Sequence, residues 1–429
     1  MFPRALILAL AVFIASTACL SLDIDNQTSI KKAATVLAGG LYQYHNISST
    51  AGLFTQPEPW FWWLSGSGWT TLIDYTIYTN ETTYVSDIHT ALSQNLGPNN
   101  DFVPTEQAGW EANDDQVYWV YSALTAMEYG FPALPCDTPS NTNSSCTNSW
   151  QAVAVNAFED FVVRWNIDSE TCGGGLKWQY DPKAKGWVGN PMIPLYMTLE
   201  RLMSVSQNYK NAVTNAGFFQ TAARLARHTG NQTYADWATK IWNWSITSGL
   251  IGSGYHVFDG TSDEADANCS SVNHMEWSYN IASYLHGAAH MHAYAKDDTI
   301  WETIVNGLVD SANTTFFTPS SNATGIMYEQ ICEQQAMCSV DNTSFKGSLA
   351  KWMGKVAVLV PSVAPKINAL LRSSAQGAAA SCSGNNSTCG TKWYIGGFDG
   401  QTGFGQELSA LDTMLSLLAA DAPKLSISA

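Results

Sequence analysis

Twelve segments of the chain repeat apolar residues at helical spacing, and they alternate between two kinds. Ser29–Tyr44 is typical: Ile30, Ala33, Ala34, Leu37 and Leu41 form one face behind a Ser29 cap. The others run over Trp62–Tyr78, Thr82–Asn95, Asp114–Tyr129, Trp150–Trp165, Asn208–Thr229, Tyr234–Ser248, Met275–Ala295, Thr299–Asn313, Phe345–Val360, Ile367–Ala380 and Gly403–Ala420. Thr82–Asn95, Tyr234–Ser248 and Thr299–Asn313 carry charges and one apolar face. Trp62–Tyr78, Asp114–Tyr129 and Met275–Ala295 are dense in Gly, Ala, Trp and Tyr, as buried helices are. Six buried helices alternating with six outer ones predict an all-α fold, an (α/α)6 toroid of six helical hairpins. No linker divides the chain, so residues 23–429 read as a single domain.

Composition narrows the function. Net charge is −16, and charged residues are 13% of the 429, about half the usual quarter. Such a chain lacks the cations to displace phosphate counterions, which argues against nucleic acid as a partner. With 45% apolar residues it is no disordered tail. Arg4, the apolar run Ala5–Ile14 and small residues up to Ser21 read as a secretory signal over residues 1–22. That run is too short to span a bilayer, and no later stretch is long enough, so no transmembrane segment is expected. Removing Cys19 leaves eight cysteines. Short loops suggest Cys136–Cys146, Cys332–Cys338 and Cys382–Cys389, leaving Cys172–Cys269 as one choice among many. Asn-x-Ser/Thr sites are dense, from Asn26 to Asn386. No apolar tail ends the sequence, so no glycolipid-anchor signal is expected. The protein reads as a secreted or cell-wall glycoprotein and a monomer.

The strongest chemical signal is Asn113-Asp114-Asp115-Gln116, at the start of a buried aromatic-rich helix. Acids in a first turn also serve as caps and suit the helix dipole, so a purely structural role uses the same residues. Adjacent helical residues point about 100° apart, and their carboxyls can sit roughly 5–6 Å apart, near the spacing of about 5–5.5 Å in retaining glycosidases. Like-charge coupling in a cleft would keep one protonated and one ionised. Trp60-Phe61-Trp62-Trp63, followed by Gly66, Gly68 and Trp69, supplies flat rings for the apolar faces of sugars; the same rings also fill cores.

These residues carry a resemblance. WFWWLSGSGWTTLIDY (Trp60–Tyr75), NDDQVYWVYSALTAME (Asn113–Glu128), CGGGLKWQ (Cys172–Gln179), NYKNAVTNAGFFQTAARLARHTGN (Asn208–Asn231), VFDG (Val257–Gly260) and WSYNIASYLHGAAHM (Trp277–Met291) occur in a fixed order. In them the chain resembles glycoside hydrolase family 76, in its fungal α-1,6-mannanase-like branch, from about Ser29 to Leu418. The resemblance implies an (α/α)6 toroid and a retaining mechanism on α-1,6-linked mannose. It implies Asp114 as nucleophile and Asp115 as acid/base, with Trp63, Asn113, Gln116, Asn211, Asp259, Tyr279 and Asn280 as sugar contacts. It asks for no cofactor, and the eight histidines show no metal-ligand spacing.

One stretch departs from that pattern. Val188–Gln207 interrupts the passage between CGGGLKWQ and Tyr209-Lys210-Asn211. Its removal joins Trp187 to Asn208 and restores the pattern. Val codons begin with GT and a Gln codon can end in AG, so the segment reads as a retained intron; a genuine rim insertion is the alternative. Two activities fit the same aspartates: endo-hydrolysis of α-1,6-mannan, or transfer of a glycolipid-anchor mannan core to wall glucan. The absent anchor signal favours hydrolysis. An idle mannan-binding protein is a third reading, and the intact aspartate pair argues against it.

Overall fold

The computed structural model describes residues 20–46, 52–55, 60–109, 111–133, 149–179, 208–264, 269–296 and 298–427. Most of the signal, Cys136, Cys146 and the whole of 188–207 lie outside the described residues. Among the described residues there are twelve α-helices: α1 (Gln27–Tyr42), α2 (Trp62–Thr79), α3 (Val85–Gln94), α4 (Asn113–Tyr129), α5 (Trp150–Asp168), α6 (Ala212–Thr229), α7 (Gln232–Thr247), α8 (Ser278–Ala295), α9 (Thr299–Phe316), α10 (Asn342–Leu359), α11 (Ala364–Ser381) and α12 (Phe404–Ser416). The even-numbered helices touch in sequence order, and α12 returns to α2, closing an inner ring. The odd-numbered helices cover it from outside. The alternation in the sequence is the alternation of these layers. From Gln116 to Glu128 every residue of α4 is buried, whereas α3 buries only Ile88, Ala91 and Leu92.

Glycine lets the inner helices approach closely. A Cβ on Gly217 of α6 would lie 2.4 Å from Val117 of α4, and one on Gly347 of α10 would lie 2.7 Å from the Ser409 backbone of α12. Either addition would force neighbouring helices apart.

The ring also encloses charges. Arg224 pairs with Glu128 at 2.8 Å, Lys355 with Asp74 at 2.8 Å, Lys346 with Glu333 at 2.7 Å and Lys351 with Asp412 at 3.3 Å. All eight side chains are buried. Each cation thus meets its carboxylate on another element, as burial of charge requires.

One boundary differs from the sequence reading. The segment expected to be helical from Asn208 begins as strand β1 (Tyr209–Asn211), and the helix starts at Ala212. β1 pairs antiparallel with β2 (Gly260–Ser262), which pairs antiparallel with β3 (Val272–Asn273). A partner distant in sequence therefore overrides the local helical pattern. Disulfides join Cys172 to Cys269, Cys332 to Cys338 and Cys382 to Cys389. At the N-terminus, Leu20 is buried and its N–H donates to the Cys382 carbonyl at 3.1 Å. A chain cleaved after Leu22 would lack that contact.

Trp178 N–H donates to the Tyr209 carbonyl at 2.7 Å, so the chain segments flanking 180–207 lie against each other. Deleting 188–207 is therefore expected to leave the thermal melt of the purified protein unchanged within about 0.5 kcal/mol. Transcript sequencing gives the independent readout, since a message lacking these codons is expected.

Candidate active site

Residues near the starts of α2, α4, α8 and α10 meet at one end of the ring. Trp63 of α2 packs on Tyr118 of α4 with ring centroids 4.5 Å apart. Tyr279 of α8 stacks on Phe345 of α10 at 3.9 Å and 22°. The first turn of α4 carries Asp114 and Asp115, both half-buried, into this aromatic rim.

The helix start explains how the pair is held. Ala112 is extended and cannot cap with its side chain, so Asp115 reaches back: its Oδ2 accepts the Ala112 N–H at 2.7 Å. The capping role and a half-buried carboxyl thus coexist. Asp114 is held differently. The indole Nε1–H of Trp178 donates to its Oδ1 and Oδ2 at 3.0 and 3.1 Å. Trp178 is itself pinned, because its carbonyl accepts the Asn113 N–H at 2.9 Å.

The CGGG run is the reason Trp178 can be there. Gly173, Gly174 and Gly175 all take positive φ, and a Cβ on Gly175 would fall 2.0 Å from Trp244. The resulting loop turns carbonyls inward. Lys210 Nζ donates to those of Asp168, Thr171 and Gly174 at 2.8, 3.0 and 2.6 Å. Lys177 pairs with Asp263 at 3.1 Å, and the Cys172–Cys269 disulfide ties the loop to the chain just before β3.

Electrostatics separates the two aspartates. Burial raises both carboxyls, Asp115 to about 7, and each charge opposes the other. Below that pH the pair holds at least one proton. The donors decide where the negative charge rests. Asp114 is stabilised as an anion by its own and Asp115's backbone N–H groups and by Trp178, while Asp115 has the Ala112 N–H. That imbalance favours Asp114 ionised and Asp115 protonated.

The other residues expected here divide into two groups. Asp259 accepts the Tyr209 hydroxyl at 2.6 Å and the Asn273 amide at 3.2 Å, and burial raises its carboxyl against those bonds. Burial and then the charge of nearby Asp259 push the Tyr279 hydroxyl up. Asn211 ends β1 opposite Gly260, and its Oδ1 is buried without a protein partner. Trp63, Asn211, Asp259, Tyr279 and Asn280 are therefore brought to the rim with the pair. Asn113 and Gln116 face the other way. Both are fully buried, and Arg164 of α5 donates to Asn113 Oδ1 at 2.8 Å and to Gln116 Oε1 at 2.5 Å. The Asn113 amide is used by the Lys177 carbonyl and that of Gln116 by the Asp101 carbonyl, each at 2.8 Å. These two fasten the start of α4 to its surroundings rather than presenting free amides to a groove.

Two participants escaped the site reading. Trp178 lay in a motif noted only for its pattern. Asp341, the residue before α10, has its carboxyl raised to about 7 by burial and by the nearby charge of Asp115. Among the described residues no group of three or more His, Cys, Asp and Glu side chains is arranged to hold a metal ion.

A carboxylate and a carboxylic acid side by side, edged with aromatic rings, can attack an anomeric carbon and protonate the departing oxygen. Known proteins agree in sequence and shape. The chain is 35% identical over 414 residues, 95% of its length and 83% of the relative's, to the mannan endo-1,6-alpha-mannosidase DCW1 of Saccharomyces cerevisiae. It is 32% identical over 418 residues to the mannan endo-1,6-alpha-mannosidase DFG5 of the same yeast, covering 96% and 82% of the two chains. The crystal structure of Dfg5 from Chaetomium thermophilum with glucosamine superposes with a TM-score of 0.81 at 32% identity, covering 94% of each chain. An α-1,6-mannanase of Salegentibacter sp. HEL1_6 shares the fold at 19% identity and a TM-score of 0.64, over 90% and 98% of the two chains. The sequence model of glycosyl hydrolase family 76 matches residues 29–190 and 201–428, a match whose break falls inside 188–207. The chain belongs to glycosyl hydrolase family 76.

Proposed function

We propose that the protein is an exported retaining glycosidase that cuts α-1,6-mannosidic linkages within mannan. The observation that carries this reading is the unequal pair: both oxygens of Asp114 accept the Trp178 indole N–H, while Asp115 accepts the Ala112 N–H. Asp114 attacks the anomeric carbon while Asp115 gives its proton to the leaving glycosidic oxygen, yielding a glycosyl ester on Asp114. Asp115, now ionised, takes a proton from water, and the hydroxyl displaces Asp114 from the same carbon. Trp63 and Tyr279 offer ring faces to the sugar, and Asn211, Asp259 and Asn280 offer polar groups to its hydroxyls.

Export is supported by the signal-like N-terminus and by disulfides, which persist in oxidising compartments. Among the described residues no helix is long and apolar enough to cross a membrane. We place the working unit in one domain of a monomer, with 188–207 dispensable.

Incubation of the purified protein with linear α-1,6-mannan tests the reading. Shorter reducing oligomers are expected. Longer or hybrid chains would favour the second reading, in which a sugar hydroxyl replaces water and a glycolipid-anchor mannan core passes to wall glucan; the mannosidase relatives support the same cleavage step for either outcome. Binding without turnover would refute both.

The acid role has a signed pH dependence. Asp115 must be protonated to donate, and its carboxyl is raised to about 7. The value of kcat/KM is therefore expected to fall as pH rises through about 7, tenfold per unit beyond it. A pH–rate profile that is flat from 6 to 9 would contradict this.

A further inference from the structure

The first turn of α8 has no side-chain cap of its own. Trp277, the residue before it, is extended, and its indole makes no capping bond. The N–H groups that open a helix then need an acceptor from elsewhere. Glu329 supplies one from 51 residues away in sequence: its Oε1 accepts the Ser278 hydroxyl, and its Oε2 accepts the Ser278 N–H at 3.4 Å. Both residues are fully buried.

Glu333, in the same turn of chain, reaches α10. Its Oε1 accepts Lys346 Nζ at 2.7 Å and also the Glu329 N–H at 3.0 Å, so the two carboxyls are held together. Lys346 donates as well to the Thr391 carbonyl, and its Nζ lies 3.9 Å from the Trp393 ring centroid. The turn is firm. The Glu333 N–H donates to the Glu329 carbonyl at 3.1 Å and the Met337 N–H to the Cys332 carbonyl at 3.0 Å. The Cys332–Cys338 disulfide closes it beside the entry to α10, where the Asn342 side chain accepts the Ser339 N–H at 2.9 Å.

The residues gripped by this turn flank one aromatic stack. Ser278 precedes Tyr279 and Lys346 follows Phe345, the two rings that lie 3.9 Å apart at 22°. Aromatic pairs tolerate a range of centroid separations, so the stack alone leaves both rings free to shift. Bonds to the adjacent residues remove that freedom. We infer that Glu329 is a positioning residue for the sugar: through Ser278 it sets the start of α8, and with Glu333 on α10 it holds the Tyr279–Phe345 stack against which the substrate rests. The inference rests on the proposed reading of Tyr279 as a sugar contact. Burial pushes the Glu329 carboxyl up to about 8, and in either protonation state an oxygen is left to accept the Ser278 N–H.

Glu329→Ala removes the acceptor. Its KM on linear α-1,6-mannan is expected to rise about tenfold with kcat within about twofold, because binding is lost and the aspartate pair is untouched. Glu329→Gln keeps an oxygen for the Ser278 N–H and an amide for the Ser278 hydroxyl, and is expected to restore the original KM. In a Tyr279→Ala background, which itself raises KM, Glu329→Ala is expected to add less than about twofold, since the two changes act on one contact. Loss of folded protein alone would lower kcat and leave KM as it was, and that result overturns the inference. So does a Glu329→Gln as impaired as Glu329→Ala, or a full further rise in the Tyr279→Ala background. Ser278→Ala serves if Glu329→Ala does not fold: only the hydroxyl bond is lost, a rise in KM of about threefold is expected, and an unchanged KM overturns the inference. If the unaltered protein turns over no mannan, the proposed function and this inference fall together. If it turns mannan over and KM stays put in these variants, the inference alone falls.

Discussion

Asp114→Asn is expected to remove turnover of α-1,6-mannan by about four orders of magnitude or more while leaving the melt unchanged. The asparagine retains an oxygen to accept the Trp178 N–H, so the local geometry survives. What it loses is the charge that bonds to the anomeric carbon, and no neighbouring group can supply it from the same position. Asp115→Asn should fall by about two to four orders of magnitude and lose the alkaline limb, because the group that titrates there is gone. A substrate with a leaving group that needs no proton should restore the first step of Asp115→Asn and leave Asp114→Asn inactive. Progress curves for both variants, with thermal melts as a folding control, check this. An active Asp114→Asn would overturn the assignment of the nucleophile.

The largest expected loss of stability lies at the opposite end of the ring. Arg224 is fully buried, with Nε and Nη2 donating to Glu128 Oε1 and Oε2 at 2.9 and 2.8 Å and Nη2 also to Thr125 at 2.9 Å. Its guanidinium lies 5.3 Å from the Trp352 ring centroid. Burial alone would raise the carboxyl of Glu128, but the charges of Arg224, His290 and Lys355 hold it down to about 2. Its folded value is thus depressed, so its contribution is present above the ordinary glutamate range and is lost as pH falls toward 2. Glu128→Ala strands a buried guanidinium and is expected to cost about 3–5 kcal/mol. Replacing both partners with apolar residues, Arg224→Met with Glu128→Leu, should recover much of that loss, since no charge is then left unpaired. Denaturant melts of the two single variants and the double variant check the cycle. Equal losses in the single and double variants would contradict the stranded-charge explanation.

The layer structure was legible because the two kinds of helix differ in composition. Gly217 and Gly347 mark contacts where one inner helix lies directly against the next. The start of α6 was misread because Tyr209–Asn211 continues a helical pattern; only pairing with Gly260–Ser262 makes it a strand. Asp114 and Asp115 were visible from their adjacency. The resemblance added Asn113 and Gln116, yet rotation of about 100° per residue turns those two toward Arg164. Trp178 and Asp341 carry no local sign that they lie near the pair. Their positions depend on three positive-φ glycines in one case and on the entry to α10 in the other. The buried ion pairs were likewise hidden, because Lys355 and Asp74 meet only when the ring closes.

Proton NMR of the first products from linear α-1,6-mannan tests the double displacement on Asp114 most directly. Two displacements at one carbon return the starting configuration, so the α-anomer of the new reducing end is expected to appear first and the β-anomer only later, by mutarotation. Initial release of the β-anomer would mean a single displacement by water and would contradict the assignment of Asp114 as nucleophile.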